Sequence, residues 1–376
     1  MSCIVFTGGG TAGHVFPALA IAELLPKEID IVWLGSKNGR DARFVASLPR
    51  VRFISIPSGK YRRYFSFKNF IDIFRIIHSF FASFFILAKL RPILLFSKGG
   101  FVSTPPCLAA YFLRIPVITH ECDASPGLAT KLNAFFAKKI LVSYPNTINL
   151  FKKKYKKKII YTGNPVRSIF YNSKDDNTLK HFFEMPPSKP ILLVLGGSLG
   201  AAQINDLIYE NIKELLKDFF IVHQTGDANI KDAQNVLDKL KKEEGDLHSS
   251  YMPTPFIKDE MPSLISSSFA VISRAGSNAL WEIATLGSPM ILIPLEKGSS
   301  RGDQVENALF FKENEAAIVL KGEDANSTSF MNIIKKLLKD DDFRKSLGKN
   351  AKKLSNDCVA KKIVDIIEEN AKKMNK

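Results

Sequence analysis

The first residues that could do chemistry form a glycine-rich run that ends in a histidine. Gly8-Gly9-Gly10-Thr11-Ala12-Gly13-His14 follows the apolar segment 3–6 and precedes apolar residues at helical spacing. This order predicts a strand, a tight turn and the start of a helix. Glycines let the backbone approach a ligand closely, and the N–H groups at a helix start favour an anion such as phosphate. The histidine could accept a proton there, although a tight turn without a ligand would contain the same glycines.

The glycine spacings also match two unrelated motifs whose other partners are missing. Gly8-x-Gly10-x-x-Gly13 has the spacing of a dinucleotide-binding loop, but the second predicted strand ends at Gly35 without the acid that would bind a ribose. Gly196-x-Ser198-x-Gly200 has the spacing of a hydrolase nucleophile elbow, but no later histidine lies in a recognisable active-site loop. We therefore interpret Ser198 as a hydroxyl beside the N–H groups of a helix start, at a phosphate site.

Two later turns carry residue types that suit a nucleotide and a sugar. Gly276 and Ser277 stand where a helix is predicted to begin, and Glu282 follows within its first turns, where a carboxylate could bind both hydroxyls of a ribose. Gln304 and Asn307 are three residues apart on the next predicted helix, so their amides share one face that could bind a polyhydroxylated ligand. A capping acid and two solvated amides are the ordinary alternatives. The sequence shows no Asp-x-Asp pair or His–carboxylate cluster, so we expect no metal and no cofactor.

The elements that must position these residues alternate between strand and helix in two halves. Each half opens with an apolar strand followed by a glycine loop, at 3–6 and at 191–195. Such alternation predicts an α/β fold of two Rossmann-like domains, whose parallel sheets would face each other across a cleft. The polar stretch 172–189, which contains prolines, is the predicted linker. The predicted boundaries are an N-terminal domain at 1–165, a C-terminal domain at 166–350 and a C-terminal helix at 351–376 that could pack back on the N-terminal domain.

Composition narrows the possible partners. The 376 residues carry a formal net charge of +16, which fits a nucleic acid, an anionic membrane surface or a phosphorylated substrate. No basic motif with interleaved aromatic residues accompanies this charge, so we expect no nucleic-acid partner. The four cysteines lack CxxC spacing, which argues against a zinc site or a disulfide framework. No signal peptide is recognisable, which favours a cytoplasmic location.

The most apolar stretch of the chain is 65–90. Asp72, Arg75 and His78 interrupt it, and its longest uncharged run, 79–88, is too short to span a bilayer. The pattern predicts an amphipathic helix or a pair of helices, and the flanking lysines and arginines would suit anionic lipid. An ordinary core helix would have the same composition. The lysine-rich run 152–158 is predicted to be a solvated loop, with lipid contact as the alternative.

Taken together and in this order, the motifs resemble the MurG family, which belongs to the family 28 glycosyltransferases of the GT-B type. The resemblance covers nearly the whole chain, and each motif alone would be weak. The matching runs are 9–18, 98–103, 120–121, 163–167, 196–201 and 273–277.

The resemblance implies an enzyme of peptidoglycan synthesis. Members of this family move N-acetylglucosamine (GlcNAc) from UDP-GlcNAc to the 4-hydroxyl of N-acetylmuramic acid (MurNAc) in undecaprenyl-linked lipid I, with inversion, and so form lipid II. The N-terminal domain would bind the lipid acceptor and the C-terminal domain the nucleotide sugar. The enzyme would act at the cytoplasmic face of the inner membrane, docked on its anionic leaflet through 65–90. A different GT-B enzyme, such as a glycolipid or antibiotic glycosyltransferase, is the competing interpretation.

The reaction needs one base on the acceptor hydroxyl. We favour His14, since an imidazole titrates near neutral pH, and Glu121 is its rival. Alternatively, His14 could remain neutral and position the acceptor pyrophosphate.

The resemblance also implies binding residues. On the acceptor side these are Thr11, Ala12 and Gly13, where Ala12 replaces a family glycine. Asp123 stands where the family commonly has an asparagine that contacts the donor sugar. The residues implied for the rest of the donor are Arg167 and Ser198 at the diphosphate, Ile257 at the uracil, Ala275, Gly276 and Ser277 along the nucleotide, Glu282 at the ribose, and Gln304 and Asn307 at the GlcNAc.

Overall fold

The computed structural model shows two compact units. It describes residues 2–9, 12–36, 41–59, 67–171, 179, 182–183, 187–197, 200–296, 302–356 and 358–372. The N-terminal unit comprises Met1–Arg167 together with Asp357–Lys376, and the C-terminal unit comprises Ser168–Asn356. The roles assigned above to the two domains stay predictions.

A seven-stranded parallel sheet forms the centre of the N-terminal unit. Its strand order is β3-β2-β1-β4-β5-β6-β7, and the register pairs Thr7 at the end of β1 with Ser97 at the end of β4. The central strands β1 and β4 are buried on both faces, which explains why each of them is a nearly continuous apolar run. The strands are β1 (Cys3–Thr7), β2 (Asp30–Ser36), β3 (Val51–Ile56), β4 (Leu94–Ser97), β5 (Val117–Glu121), β6 (Lys139–Val142) and β7 (Ile159–Tyr161).

Helices cover the two faces of this sheet with separate cores. Ile4 and Phe6 point into one core, which is shared with α1 and α13, whereas Cys3 and Val5 point into the other. The last helix, α13, thus returns to the N-terminal unit and contributes Val359, Ile363 and Ile367. The helices of this unit are α1 (Phe16–Leu24), α2 (Asp41–Val45), α3 (Phe67–Leu90), α4 (Thr104–Phe112), α5 (Leu128–Phe136) and α13 (Val359–Lys372).

The C-terminal unit repeats the same plan with a six-stranded parallel sheet. Its strand order is β10-β9-β8-β11-β12-β13. The strands are β8 (Ile191–Leu195), β9 (Phe220–Gln224), β10 (Tyr251–Thr254), β11 (Ser268–Ser273), β12 (Met290–Leu292) and β13 (Ile318–Val319). The helices are α6 (Ala202–Asp218), α7 (Ile230–Glu243), α8 (Met261–Ser267), α9 (Ser277–Leu286), α10 (Asp303–Glu313), α11 (Ser327–Lys339) and α12 (Asp341–Leu354). The predicted α/β class with two parallel sheets is therefore confirmed.

Each sheet has a switch point, where the strand order reverses beside its first strand. In the N-terminal unit this point lies between β1 and β4, and in the C-terminal unit between β8 and β11. The loops that leave adjacent strands in opposite directions open a crevice there, and ligands of such sheets bind in it. The sequence motifs fall on these loops: 8–14 and 98–100 in one unit, 196–201 and 274–277 in the other.

Helix α3 is a single helix with an unusual distribution of side chains. Ser79, Ser83 and Leu87 are buried on its inward side, whereas Phe74, Ile77, Phe81 and Phe85 are exposed at helical spacing. By length and composition alone, its segment Asp72–Leu90 could cross a membrane, with a mean hydropathy of 1.7 and 17 % of its window buried. The uncharged run 79–88 alone is too short to span a bilayer. The helix continues on both sides of that run, so the apolar segment Asp72–Leu90 is longer than the run itself.

Two other predictions about local structure have different outcomes. The lysine-rich run was predicted to be a loop, but Lys153–Lys158 forms a 3-10 helix, so that prediction is wrong in its conformation. The side chain of Lys158 donates a hydrogen bond to the backbone oxygen of Ala137, which fixes this turn against the end of α5. Most of the predicted linker 172–189 lies outside the described residues.

Candidate functional site

His14 lies between the two glycine loops at the switch point of the N-terminal unit. It ends a short 3-10 helix, Ala12–His14, immediately before α1. Its Nδ1 lies 3.0 Å from the backbone oxygen of Lys98, which follows β4. A carbonyl oxygen can only accept, so Nδ1 carries the hydrogen, and in a neutral imidazole the basic lone pair is then on Nε2. The ring is therefore oriented as a proton acceptor through Nε2.

The second glycine loop, Gly99-Gly100, packs directly against the imidazole of His14. Gly99 and Gly100 both have left-handed backbones, with φ of +79° and +77°. A Cβ on Gly100 would lie 2.4 Å from the backbone oxygen of Gly9 and 3.1 Å from Cδ2 of His14. The loop must therefore be glycine at this position so that the two loops and the imidazole can pack together. The sequence indicates this second glycine turn directly, since Gly99 and Gly100 follow the apolar run 93–96.

Glu121, the rival base, is a buried residue at the end of β5. Its Oε1 accepts a hydrogen bond from the backbone N–H of Asp123 at 3.1 Å, and its Oε2 accepts one from the N–H of Gly127 at 2.9 Å. Ligand-type atoms of Glu121, Cys122 and Asp123 lie within 4.8 Å of one another. Because both carboxylate oxygens hold backbone N–H groups, the geometry makes Glu121 an anchor of the turn 122–127.

Arg167 is the last residue of the first segment of the N-terminal unit and lies near the start of α1. Its guanidinium lies 4.7 Å from the ring centroid of Phe16, a cation–π distance, and Phe16 begins α1 two residues after His14. Thr11 and Ser198 lie outside the described residues, as does the side chain of Ala12.

In the C-terminal unit, the loops after β8 and β11 leave open space at the sheet edge. A Cβ added to Gly197 or Gly276 would meet nothing within 4 Å. Gly276 is the N-cap of α9, so the helix start and its N–H groups face this space. Ser277 is the buried first residue of α9, and Glu282 is half-buried in its second turn.

Gln304 and Asn307, the two amide residues on α10, form hydrogen bonds to the backbone of the loops that follow β11 and β12. Asn307 is fully buried, and its Nδ2 donates to the backbone oxygen of Ala275 at 3.3 Å. Oε1 of Gln304 accepts from the N–H of Leu295 at 3.0 Å, just beyond β12. Ala275 itself has φ of +64°, a left-handed conformation that is uncommon outside glycine. The amides thus support the loop that places Gly276 at the start of α9.

Ile257 is held by a residue that the sequence analysis missed. Oε1 of Gln224, the buried last residue of β9, accepts a hydrogen bond from the N–H of Ile257 at 3.0 Å. A hydrogen bond from the backbone of Ile257 to a ligand would therefore use its carbonyl. The signal available in sequence was a polar residue at the end of an apolar strand, the position where parallel sheets carry ligand-binding groups.

A separate apolar surface lies on the N-terminal unit. Phe80 of α3 packs on Phe112 of α4 with centroids 5.9 Å apart, and Tyr111 of α4 packs near Phe135 of α5 at 6.2 Å. At its edge, Nζ of Lys154 lies 5.7 Å from the ring centroid of Phe135. We call this surface the apolar patch; its exposed members are Ile73, Phe74, Ile77, Phe81, Phe85, Tyr111, Phe112, Leu128, Leu132 and Phe135.

Comparison with known proteins identifies the family. Residues 4–142 match the glycosyltransferase family 28 N-terminal domain, and residues 191–367 match its C-terminal domain. The UDP-N-acetylglucosamine--N-acetylmuramyl-(pentapeptide) pyrophosphoryl-undecaprenol N-acetylglucosamine transferase of Treponema denticola is 52 % identical, over 93 % of this chain and 90 % of that protein. The protein of the same name from Borreliella burgdorferi is 40 % identical, over 98 % of both chains. The crystal structure of Acinetobacter baumannii MurG shares the fold, with a TM-score of 0.73 and 24 % identity over 98 % of this chain and 100 % of that one. The chain belongs to glycosyltransferase family 28.

Proposed function

We propose that this enzyme transfers GlcNAc from UDP-GlcNAc to the 4-hydroxyl of MurNAc in undecaprenyl-linked lipid I, which yields lipid II. The observation that carries the proposal is the 52 % identity, across 93 % of the chain, to a transferase whose name states this donor sugar and this acceptor. In the reaction, the acceptor oxygen forms a bond to the anomeric carbon while the bond from that carbon to the diphosphate breaks. The configuration inverts because the oxygen attacks from the face opposite to the diphosphate.

His14 is the base of this proposal. Its Nδ1 donates to the backbone oxygen of Lys98, an arrangement that directs the basic Nε2 to the acceptor hydroxyl. Glu121 fits the role less well, since both of its oxygens accept backbone N–H groups. Its role is to hold Asp123 and the turn that follows. Thr11, Ala12 and Gly13, on the loop that carries His14, bind the acceptor beside it.

The C-terminal unit binds the donor at its switch point. The N-terminal end of α9 at Gly276 and Ser277, together with Ser198, stabilises the negative charge that develops on the departing diphosphate. Arg167 is assigned to the diphosphate by the family resemblance. Ile257 offers its carbonyl to the N3–H of uracil, because Gln224 occupies its N–H. Glu282 binds the ribose hydroxyls.

The sugar is bound by α10 and the loop that α10 supports. The Nε2 group of Gln304 contacts GlcNAc while its Oε1 holds Leu295. Asn307 acts mainly through Ala275, since its side chain is fully buried and donates to that carbonyl. Asp123 accepts a hydrogen bond from a sugar hydroxyl.

The apolar patch docks the enzyme on the membrane that contains its acceptor. The exposed aromatic residues of the apolar patch lie together on three helices, whereas exposed apolar residues on most soluble proteins are scattered singly. Lys154 lies at the edge of this patch. Aromatic and aliphatic side chains can insert among lipid acyl chains while lysines contact anionic headgroups. We therefore infer that the enzyme acts at the cytoplasmic face of the inner membrane.

Turnover by the purified protein tests the reaction. We expect a β(1→4)-linked disaccharide product when UDP-GlcNAc and a lipid I analogue are supplied together, detected by mass spectrometry and NMR. UDP-glucose, or a lipid acceptor without MurNAc, should give no product. Preferential turnover of either alternative would instead identify a different glycosyltransferase of the same fold.

Vesicle co-sedimentation tests the docking surface. The protein should bind phosphatidylglycerol vesicles more strongly than phosphatidylcholine vesicles. Phe85→Asp should weaken this binding, because Phe85 is 68 % exposed within the apolar patch. Leu338→Asp is the matched control, since Leu338 is a 40 % exposed apolar residue on α11 of the C-terminal unit. Equal binding by both variants would contradict the assigned surface.

A further inference from the structure

A buried lysine lies directly behind His14. Lys98 is 1 % exposed, and in the part of the chain that the structure describes no other lysine or arginine is buried to this extent. Its Nζ lies 2.5 Å from Nδ1 of His120, which is also fully buried. Burial of an amine is costly unless it is hydrogen-bonded, and replacing a buried charged group by an apolar one of similar size often leaves the fold as stable or more stable. Stability alone therefore does not account for this lysine.

The hydrogen bonds around His120 can be assigned from geometry. Its Nε2 lies 3.2 Å from the backbone oxygen of Gly163, which can only accept, so Nε2 carries the hydrogen. In the neutral ring, Nδ1 is then the acceptor and Nζ of Lys98 is the donor. Burial lowers the pKa of His120 well below its usual value, which is consistent with a neutral imidazole. Burial also lowers the pKa of Lys98, opposed by the facing groups Cys122, Glu121 and Asp123.

The backbone of Lys98 connects this buried pair to His14. Its N–H donates to the oxygen of Thr7 at 2.8 Å, and its oxygen accepts from Nδ1 of His14 at 3.0 Å. The next two residues are the left-handed glycines Gly99 and Gly100, which restrict the backbone very little. Lys98 is thus the last residue before the glycine pair, and its side chain is anchored where this loop begins.

We propose that Lys98 is a positioning residue for the base: its buried amine, bonded to His120, fixes the carbonyl that holds His14 with the hydrogen on Nδ1 and the basic lone pair on Nε2. This inference rests on the proposed function for the role of His14, but the arrangement itself is a property of the N-terminal unit. Lys98 contacts the reacting atoms only through His14.

Lys98→Met tests the inference on the full chain. It replaces the amine by an apolar group of similar length and leaves His120 without its donor. We expect kcat with a lipid I analogue to fall about 10- to 100-fold, as a small misplacement of a catalytic group does. The KM for UDP-GlcNAc should change less than about twofold, since a uniform loss of binding is not involved. An unchanged kcat would overturn the proposal.

A double variant separates positioning from simple burial. Lys98→Met with His120→Leu removes both buried polar partners. Gly163 keeps the hydrogen bond from Oγ1 of Thr162 at 3.0 Å, and Oγ of Ser143, which lies 3.4 Å from Nε2 of His120, keeps its bond to the backbone oxygen of Glu121 at 3.0 Å. This variant should fold at least as stably as Lys98→Met, yet its kcat should stay low. Recovery of the wild-type kcat would show that only the buried polar pair mattered, and would overturn the proposal.

The tautomer of His14 provides a readout that does not depend on turnover. In the wild-type protein, ¹⁵N chemical shifts of His14, assigned with His14→Gln, should report a neutral ring protonated on Nδ1. In Lys98→Met and in the double variant, the two tautomers should be mixed. A wild-type ring protonated on Nε2, or the same tautomer in all three proteins, would overturn the inference. Failure of the wild type to use lipid I, with the tautomer still dependent on Lys98, would refute only the proposed substrate.

Discussion

The imidazole of His14 donates a hydrogen bond from Nδ1 to the backbone oxygen of Lys98, 84 residues later in the chain. This contact joins the loops that leave β1 and β4, the two strands that flank the switch point of the N-terminal sheet. It fixes which ring nitrogen is basic, and so determines what the residue can do chemically.

His14→Ala should abolish most of the activity without unfolding the protein. Loss of a general base typically reduces the rate by about 10²- to 10⁴-fold. The thermal midpoint should change little, because the His14 side chain lies beyond the carboxyl ends of β1 and β4 and is only partly buried. His248→Ala is the matched control, since that imidazole bonds the backbone oxygen of Gly245 on a turn of the C-terminal unit. Activity near the wild-type level in His14→Ala would remove the residue from the mechanism.

Glu121→Gln should act mainly on stability. The glutamine keeps one acceptor oxygen, but its NH₂ group then faces a backbone N–H that needs an acceptor, which costs about 1–3 kcal/mol. Differential scanning calorimetry should show a lower midpoint, and activity measured below that midpoint should exceed that of His14→Ala. Glu214→Gln, in an exposed pair with Lys217, should have little effect. A fully stable Glu121→Gln protein that is as inactive as His14→Ala would instead make Glu121 the base.

Gly100→Ala should be much more damaging than an alanine at another left-handed glycine. At Gly100 the added Cβ meets the backbone oxygen of Gly9 and the ring of His14, so the loops must separate. At Gly245, which has φ of +55°, the added Cβ meets nothing within 4 Å. Gly245→Ala should therefore cost about 1 kcal/mol from the backbone alone. Chemical denaturation and turnover of both variants check this; similar losses would show that the loop contact is unimportant.

His223 should make the protein less stable in mild acid. It is buried, with Nδ1 3.1 Å from the Tyr251 hydroxyl and Nε2 3.1 Å from Oδ1 of Asn205, and burial lowers its pKa to about 3. An unfolded histidine titrates near pH 6.5, so between these values the unfolded chain binds more protons than the native one. The free energy of unfolding should then fall as the pH drops from about 6.5, by at most about 1.4 kcal/mol per pH unit for this group.

Urea midpoints at several pH values between 7 and 4 measure this dependence. His223→Gln should show a shallower decline than the wild type. His120, whose pKa is also lowered by burial, contributes equally to both proteins and cancels in the comparison. Identical slopes for His223→Gln and the wild type would contradict the assignment.

Much of the fold could be predicted from the sequence, because strands buried on both faces appear as short apolar runs bounded by turn residues. Twelve of the strands, from β1 to β12, correspond to such runs or to strand-like segments. The strand β13 was missed, since Ile318–Val319 is only two residues long and carries no periodic pattern. The sequence left open whether α3 is a core helix or exposes its apolar side; in the structure Phe74, Phe81 and Phe85 are exposed, whereas Ser79 and Ser83 are buried.

The candidate site was less predictable. Its residue type and its position at the end of the glycine-rich run pointed to His14, and the three-residue spacing of two amides pointed to Gln304 and Asn307. The supporting residues Lys98 and Gln224 were missed, because their partners His120 and Ile257 lie 22 and 33 residues away and are brought close only by the sheet. The one local signal that both of them share is a polar residue at the carboxyl end of an apolar strand: Gln224 is the last residue of β9, and Lys98 directly follows β4.

The return of α13 to the N-terminal unit has a consequence for biosynthesis. Val359, Ile363 and Ile367 complete a core that also contains Ile4 and Phe6. The ribosome makes α13 after every element of the C-terminal unit, so the nascent chain can close the later half before the earlier one. The N-terminal unit, although translated first, cannot complete its core until α13 has been made. This reverses the usual order, in which N-terminal domains fold first during translation.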